Sequence, residues 1–210
     1  MANTRELQSR MKSIKDTMKI TSAMHMIASS NLQKAKKNLE ETEPYFYTLQ
    51  IMIAGILGHM QGGIEHQYFD ERPEIKEADR KKGYIVVTAD KGLAGGYNHN
   101  VIKLAQEFLD KPGHNELFVL GQLGRSYFQK KNVDVDTSFK YTVQKPTMHR
   151  ARVIAEKMLD LFNRKELDEV HIIYTRMENA VEMVAETKQL LPLQSGAFCE
   201  VPAGIQLDEI

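Results

Sequence analysis

The chain has 210 residues, 42% of them hydrophobic, with 28 basic and 28 acidic side chains, which is enough apolar mass for one good core in one or two soluble, folded domains. Its only cysteine, Cys199, rules out an internal disulfide and a cysteine-built metal site, as in a reducing compartment. The start, MANTRELQSR, lacks the apolar run of a signal peptide, and the longest apolar stretch, Leu49 to Met60, is too short for a bilayer span of about 20 residues.

The first element is a long helix. Leu7, Met11, Ile14, Met18, Thr21, His25, Ala28, Leu32, Ala35 and Leu39 step by four and three, the seam of a coiled coil. Its six large residues are worth roughly 1.5–3 kcal/mol each on burial, so the seam calls for a partner helix of matching length. Eight basic residues against two acidic leave residues 1–39 at +6 and, in a neutral chain, the remainder at −6. A basic rod suits an acidic partner surface, and a solvated coiled-coil face is the plain alternative. Ile20, Met24 and Ile27 lie off the seam, so this tract is apolar on more than one face and implies a second contact surface. Met11, Met18, Met24 and Met26 read as gap-fillers of such surfaces. Pro44 predicts a kink or a short break, after which Phe46, Leu49, Ile53, Ile56 and Met60 carry the stripe onward to about Leu57.

Gly62-Gly63 ends the rod, and Glu65 to Lys82 reads as a polar surface loop turning at Pro73. From Gly83 the period changes. Tyr84 to Thr88 predicts a buried strand, Val101 to Leu109 a helix, Leu117 to Leu120 a second strand, and Gln122 to Lys131 a helix. A weaker third strand is expected near Val133 to Phe139, a helix over Thr147 to Asn163, a buried strand over Val170 to Tyr174, and a half-exposed strand over Val181 to Thr187, hairpinned to its predecessor. The expected class is α/β: a long N-terminal coiled-coil helix (1–60), a linker (61–82) and a Rossmann-like domain with a mostly parallel sheet (83–195), with 196–210 opening a further segment.

The most tempting motif is the turn Asp90-Lys91-Gly92-Leu93-Ala94-Gly95-Gly96-Tyr97-Asn98, between the first strand and a helix, where phosphate loops sit. Its spacing is neither G-x-G-x-x-G nor G-x-x-x-x-G-K-[ST], and Gly121-Gln122 stands where a ribose-binding acid would follow the second strand. Asp90, Gly92, Gly95, Gly96 and Asn98 therefore read as a structural turn that lets helix and sheet approach closely, and no nucleotide or other cofactor is expected. Asp90 is the best single catalytic candidate by position, but no partner accompanies it. His25, His59, His66, His99, His114, His149 and His171 include no pair at metal-ligand spacing, and no serine lies in G-x-S-x-G, so neither metal site nor catalytic residue is expected.

These residues resemble a family. RELQSRMKSIKDTMKITSAMHMIASSNLQKAK (5–36) is similar, nearly in register, to the first helix of the gamma subunit of bacterial F-type ATP synthases, and DKGLAGGYN (90–98), HIIYTRM (171–177) and ETKQLLPL (186–193) follow in order. Asn31, Gln33 and Ala94 stand where that family has lysine, arginine and often cysteine. The resemblance implies a non-catalytic central-stalk rotor, coupling ion flow through a membrane ring to ATP synthesis or hydrolysis. Its partners would be the alpha and beta subunits of the catalytic ring, the epsilon subunit and the membrane c-ring, with no nucleic acid and no lipid span, at the cytoplasmic face of the bacterial membrane. It also implies a returning carboxy-terminal helix beyond Ile210 as the seam's partner. Lys12, Lys15, Lys19, Lys34, Lys36 and Lys37, with Ile20, Met24 and Ile27, are the expected ring contacts. The rival readings are a Rossmann-like enzyme binding a phosphate ligand with a helical oligomerisation arm, and a basic coiled-coil DNA binder. The second would need its cations bunched ahead of the zipper, whereas here they are spread along it.

Overall fold

A computed structural model describes residues 3–59, 65–136, 142–144, 146–179 and 182–198. Cys199 and the rest of the C-terminal segment lie outside the described residues. The chain divides into two compact units, 1–59 with 198–210 and 60–197.

The first unit is the helix α1, Thr4–His59, 56 residues and roughly 84 Å long at 1.5 Å per residue. Asn3 opens it, its carbonyl accepting from the amides of Glu6 and Leu7. The helix runs through Pro44 without the break that the proline suggested. Proline removes one backbone donor, and on a solvated rod water can satisfy the carbonyl left over. Thr17, Thr21 and Thr42 each donate to the carbonyl four residues back, so their hydroxyls need no outside partner.

The second unit is an α/β layer. Strands β1 (Lys81–Val87), β2 (His114–Leu120), β3 (Glu169–Met177) and β4 (Met183–Leu191) form one sheet in the order β2-β1-β3-β4. β1 is parallel to both β2 and β3, and β4 is antiparallel to β3. Helices α2 (Tyr97–Leu109) and α3 (Gln122–Lys130) cover one face, where Val101, Ala105 and Phe128 pack with Tyr84, Val86, Val119 and Ile173. Helix α4 (Met148–Asn163), capped by the Thr147 hydroxyl, covers the other through Met158 and Phe162 against Ile85, Phe118 and Val170. Burial on both faces explains why the central strands read as unbroken apolar runs.

Two stretches differ from expectation. The strand expected near Val133 to Phe139 is reduced to a single parallel bridge, Leu117 to Val135, and residues 137–139 lie outside the described part. Val133-Asp134-Val135-Asp136 alternates like a strand, with Val135 buried in the core and Val133 half-buried against it, but pairs with β2 only through that bridge. Residues 65–80, read as surface loop, hold two 3₁₀ turns, Gln67–Phe69 and Glu77–Asp79, and a buried arginine, Arg72. The Arg72 guanidinium donates to the Asp168 carboxylate at 2.7 Å and to the carbonyls of Leu167 at 2.8 Å and Phe162 at 2.7 Å, and lies 4.3 Å from the Phe162 ring centre. Asp168 also accepts from the Lys81 amide. The tether is closed at its other end by the Leu193 amide on the Tyr68 carbonyl.

At the amino ends of β1 and β3 a charged cluster is folded in. Glu169 takes a hydrogen bond from Arg80 at 2.9 Å, pairs with the His171 ring at 2.9 Å and lies 3.7 Å from Lys82, which also pairs with Glu77. His171 stacks on Tyr84, whose phenol burial pushes up to about 12. The hydrogen bond to His171, with Lys82 and Arg80 nearby, outweighs burial and holds the Glu169 carboxyl down at about 2, against 4.5 for a free glutamate. A depressed carboxyl stabilises the fold above its unfolded value, and that stabilisation is lost as pH falls from about 4.5 through about 2. Acid titration of urea stability should show a loss of about 2–3 kcal/mol over that window, and Glu169→Gln should flatten it. An unchanged acid slope in Glu169→Gln would show that other carboxylates carry it.

Candidate functional site

The carboxyl end of the parallel strands is where an open α/β sheet holds a ligand, at the point where strand order reverses. Here that point lies between β1 and β3, and this chain's own groups occupy it. Both Asp90 oxygens are engaged, accepting from the backbone amides of Gln122 at 3.1 Å and Gln144 at 3.2 Å. Asn98 accepts from the Ala89 amide at 2.8 Å, fastening the start of α2 to the end of β1. Tyr97 lies beside Thr175 of β3, and burial pushes its phenol up. Asp90 is thus a tie between the glycine turn, α3 and the residues before α4.

The glycine turn is open. A side chain at Gly92 or Gly95 would meet nothing within 4 Å, and at Gly96 only Asn100 at ordinary contact. Gly95 has φ +55, the left-handed conformation that favours glycine, and Leu93 at the tip, with φ 65, is 93% exposed. The close approach of helix and sheet lies elsewhere. Gly121 and Gly124, flanking the start of α3, press on Thr88, which is fully buried and whose hydroxyl donates to the Leu120 carbonyl and accepts from the Gly124 amide. Gly121 stands where a dinucleotide fold would place a ribose-binding acid, so its packing role is not visible from the motif.

Among the described residues no group of three or more histidine, cysteine or acidic side chains is arranged to hold a metal ion. Nor is any helix among them long and apolar enough to cross a membrane.

The larger unsatisfied feature is α1. Leu7, Met11, Ile14, Met18, Leu32 and Leu39 of the seam are all more than half exposed, Met18 most at 66%. Ile20, Met24 and Ile27 are exposed as well, and at 100° per residue Ile20 and Ile27 fall on a side of the helix away from the seam while Met24 borders it. Beyond Pro44, Phe46, Leu49, Met52 and Ile56 are exposed too. Among the described residues, Arg10 pairs with Glu6, Lys19 with Asp16 and Lys37 with Glu41, while Lys12, Lys15, Lys34 and Lys36 have no ion-pair partner. A shallow groove on the seam is lined by Ser13, Ile14, Thr17, Met18 and His25. Apolar exposure on this scale marks a surface built to be covered.

The ATP synthase family matches residues 3–206. The ATP synthase gamma chain of Ruminiclostridium cellulolyticum is 46% identical over 209 residues, covering 99% of this chain and 69% of the relative. That of Acetivibrio thermocellus is 45% identical over 194 residues, covering 92% and 65%. The chain thus spans about two thirds of the length of these relatives. Among solved structures, the central stalk and c-ring of the Tetrahymena thermophila mitochondrial ATP synthase contains a similar chain at 19% identity, with TM-score 0.45, covering 74% of this chain and 71% of that one. On the extent of the family match and the identity to its members, the chain belongs to the ATP synthase gamma chain family.

Proposed function

We propose that this chain is the central-stalk rotor part of an F-type ATP synthase, itself non-catalytic, coupling ion translocation to ATP synthesis or hydrolysis in a surrounding ring. The observation that carries the reading is α1: a rod with an exposed apolar seam, a second apolar tract and, among the described residues, four lysines without an ion-pair partner. In this reading the seam receives the returning helix of the full-length subunit. Ile20, Met24 and Ile27, flanked by Lys12, Lys15, Lys19, Lys34, Lys36 and Lys37, meet the alpha and beta subunits. The α/β domain meets the epsilon subunit and the membrane c-ring, and the complex sits peripherally at the cytoplasmic face.

An asymmetric rod biases identical sites only if it touches their conformations differently. Exposed ion pairs supply about 0–1 kcal/mol each, so packing of the apolar tract must do most of this. The test is assembly. Mixed with alpha and beta subunits from the same organism, the chain should enter the ring at one copy per complex by native mass spectrometry. Ile20→Asp with Met24→Asp and Ile27→Asp should lower capture more than about tenfold, since three apolar contacts are replaced by charge. Capture by the triple variant equal to the wild type, or no capture of the wild type, would overturn the assignment.

A further inference from the structure

The two outer edges of the sheet are unlike. Along β2 the chain itself covers the edge: Val135 bridges Leu117, and the Asp136 amide donates to the Leu117 carbonyl at 3.0 Å. β4 is the last strand on the other side, nine residues long and paired only with β3 among the described residues. Met183, Val184, Thr187, Lys188 and Leu190 are exposed along it. An open edge of this length is a template for another strand.

About Thr187 its charges are complementary when the strand is read in the two directions. Met183-Val184-Ala185-Glu186-Thr187-Lys188-Gln189-Leu190-Leu191 laid antiparallel on a copy of itself about Thr187 sets Glu186 opposite Lys188 twice, Thr187 opposite Thr187, and Ala185 opposite Gln189. The register with β3 is regular from Met183 to Gln189 and shifts beyond it, so the pairing is argued on Ala185 to Gln189 alone. Directly opposed residues share a face of the sheet, so both charged pairs form on the same side. Moving the two-fold axis by one residue either way sets Glu186 against Glu186 or Lys188 against Lys188, so charge selects the axis at Thr187. Glu186 already accepts from Tyr174 and Arg176 at 2.9 Å, and a carboxylate has room for another donor. Lys188 has no ion-pair partner among the described residues.

We infer that β4 is a homodimerisation edge through which two copies of the unassembled chain join their sheets into one of eight strands. The pairing is isologous, so the β4 contact closes at two copies about its two-fold axis. The inference goes beyond the stalk role and stands on the α/β domain alone.

The experiment uses the full chain with Cys199→Ser, so that an introduced cysteine is the only one. Thr187→Cys, on the two-fold axis, should give a disulfide-linked dimer on mild oxidation, whereas Met183→Cys, away from the axis, should not. In sedimentation without oxidation, Lys188→Glu alone and Glu186→Lys alone should each weaken the dimer about tenfold, and an equimolar mixture of the two should restore it. Lys188→Glu, on the exposed edge, leaves the fold unchallenged. Glu186→Lys also disturbs the bonds to Tyr174 and Arg176, so its circular dichroism is compared with the wild type. A wild-type monomer, no preference for crosslinking at position 187 over 183, or a dimer indifferent to Lys188→Glu would each overturn the inference. Association through the seam of α1 would give that last result, and this separates the two surfaces.

Discussion

Arg72→Ala should cost the α/β domain about 3–5 kcal/mol, the largest loss expected from any single surface-loop residue of this chain. The side chain is buried, and so is that of its partner Asp168. Truncation removes a charge-assisted bond at 2.7 Å, leaves the Asp168 carboxylate with the Lys81 amide, takes the Arg72 donor from the Leu167 carbonyl, and leaves the Phe162 carbonyl with the Lys165 amide at 3.1 Å. Backbone strain contributes little to the difference, because Arg72 at φ 47 and an alanine in its place are both L residues in the left-handed region. Arg72→Lys keeps the charge but not the planar fork that reaches three acceptors, so it should fall between alanine and wild type. Hydrogen exchange distinguishes global from local loss. Faster exchange throughout β1 and β3 would mean that the tether supports the sheet, and faster exchange confined to residues 65–80 would mean that it is only fastened there. A loss under about 1 kcal/mol by urea titration would contradict the role assigned to the pair.

Nothing local to the sequence announces that arginine. It stands in Asp70-Glu71-Arg72-Pro73, a polar stretch with a turn proline, and its partners are 90 to 96 residues away, two of them main-chain carbonyls. Periodicity detects faces, not single long-range bonds. It worked where burial is one-sided or complete: the runs Tyr84 to Val87, Leu117 to Leu120 and Val170 to Tyr174 lie in β1, β2 and β3, and the Thr147 cap starts α4 where the sequence suggested. The hairpin of β3 and β4 was legible from the alternation of the sequence over Val181 to Thr187, although β4 runs Met183–Leu191 and its burial does not alternate residue by residue. The stripe on α1 was legible because a 3.5-residue repeat has one meaning, a long partner, whether or not that partner is at hand. Of the two outcomes expected at Pro44, the break did not occur and the helix continues to His59, because proline's cost depends on whether the orphaned carbonyl meets water.

The glycines carry the other large effect. β2 ends at Leu120 and α3 begins at Gln122, so the chain reverses through the single residue Gly121, held at φ 94. A side chain there would stand 2.1 Å from the Thr88 carbonyl oxygen, a backbone atom at the end of the central strand that cannot swing aside. Gly121→Ala therefore combines a forbidden conformation with a backbone collision, and should destabilise the domain by about 3 kcal/mol or more. Gly95→Ala, strained at φ +55 but with open space around it, should cost about 1–2 kcal/mol. Gly92→Ala, unstrained and unobstructed, should stay within about 0.5 kcal/mol of wild type. This ordering reverses the weight that the sequence alone places on the two turns, because the eye is drawn to three glycines within five residues at 92–96 and passes over one at 121. The reason is geometric: a long turn offers the chain several ways round, while a turn of one residue leaves a single path beside Thr88. Urea titrations of the three variants decide it, and a Gly121→Ala protein as stable as Gly92→Ala would mean that α3 can shift off the sheet at little cost.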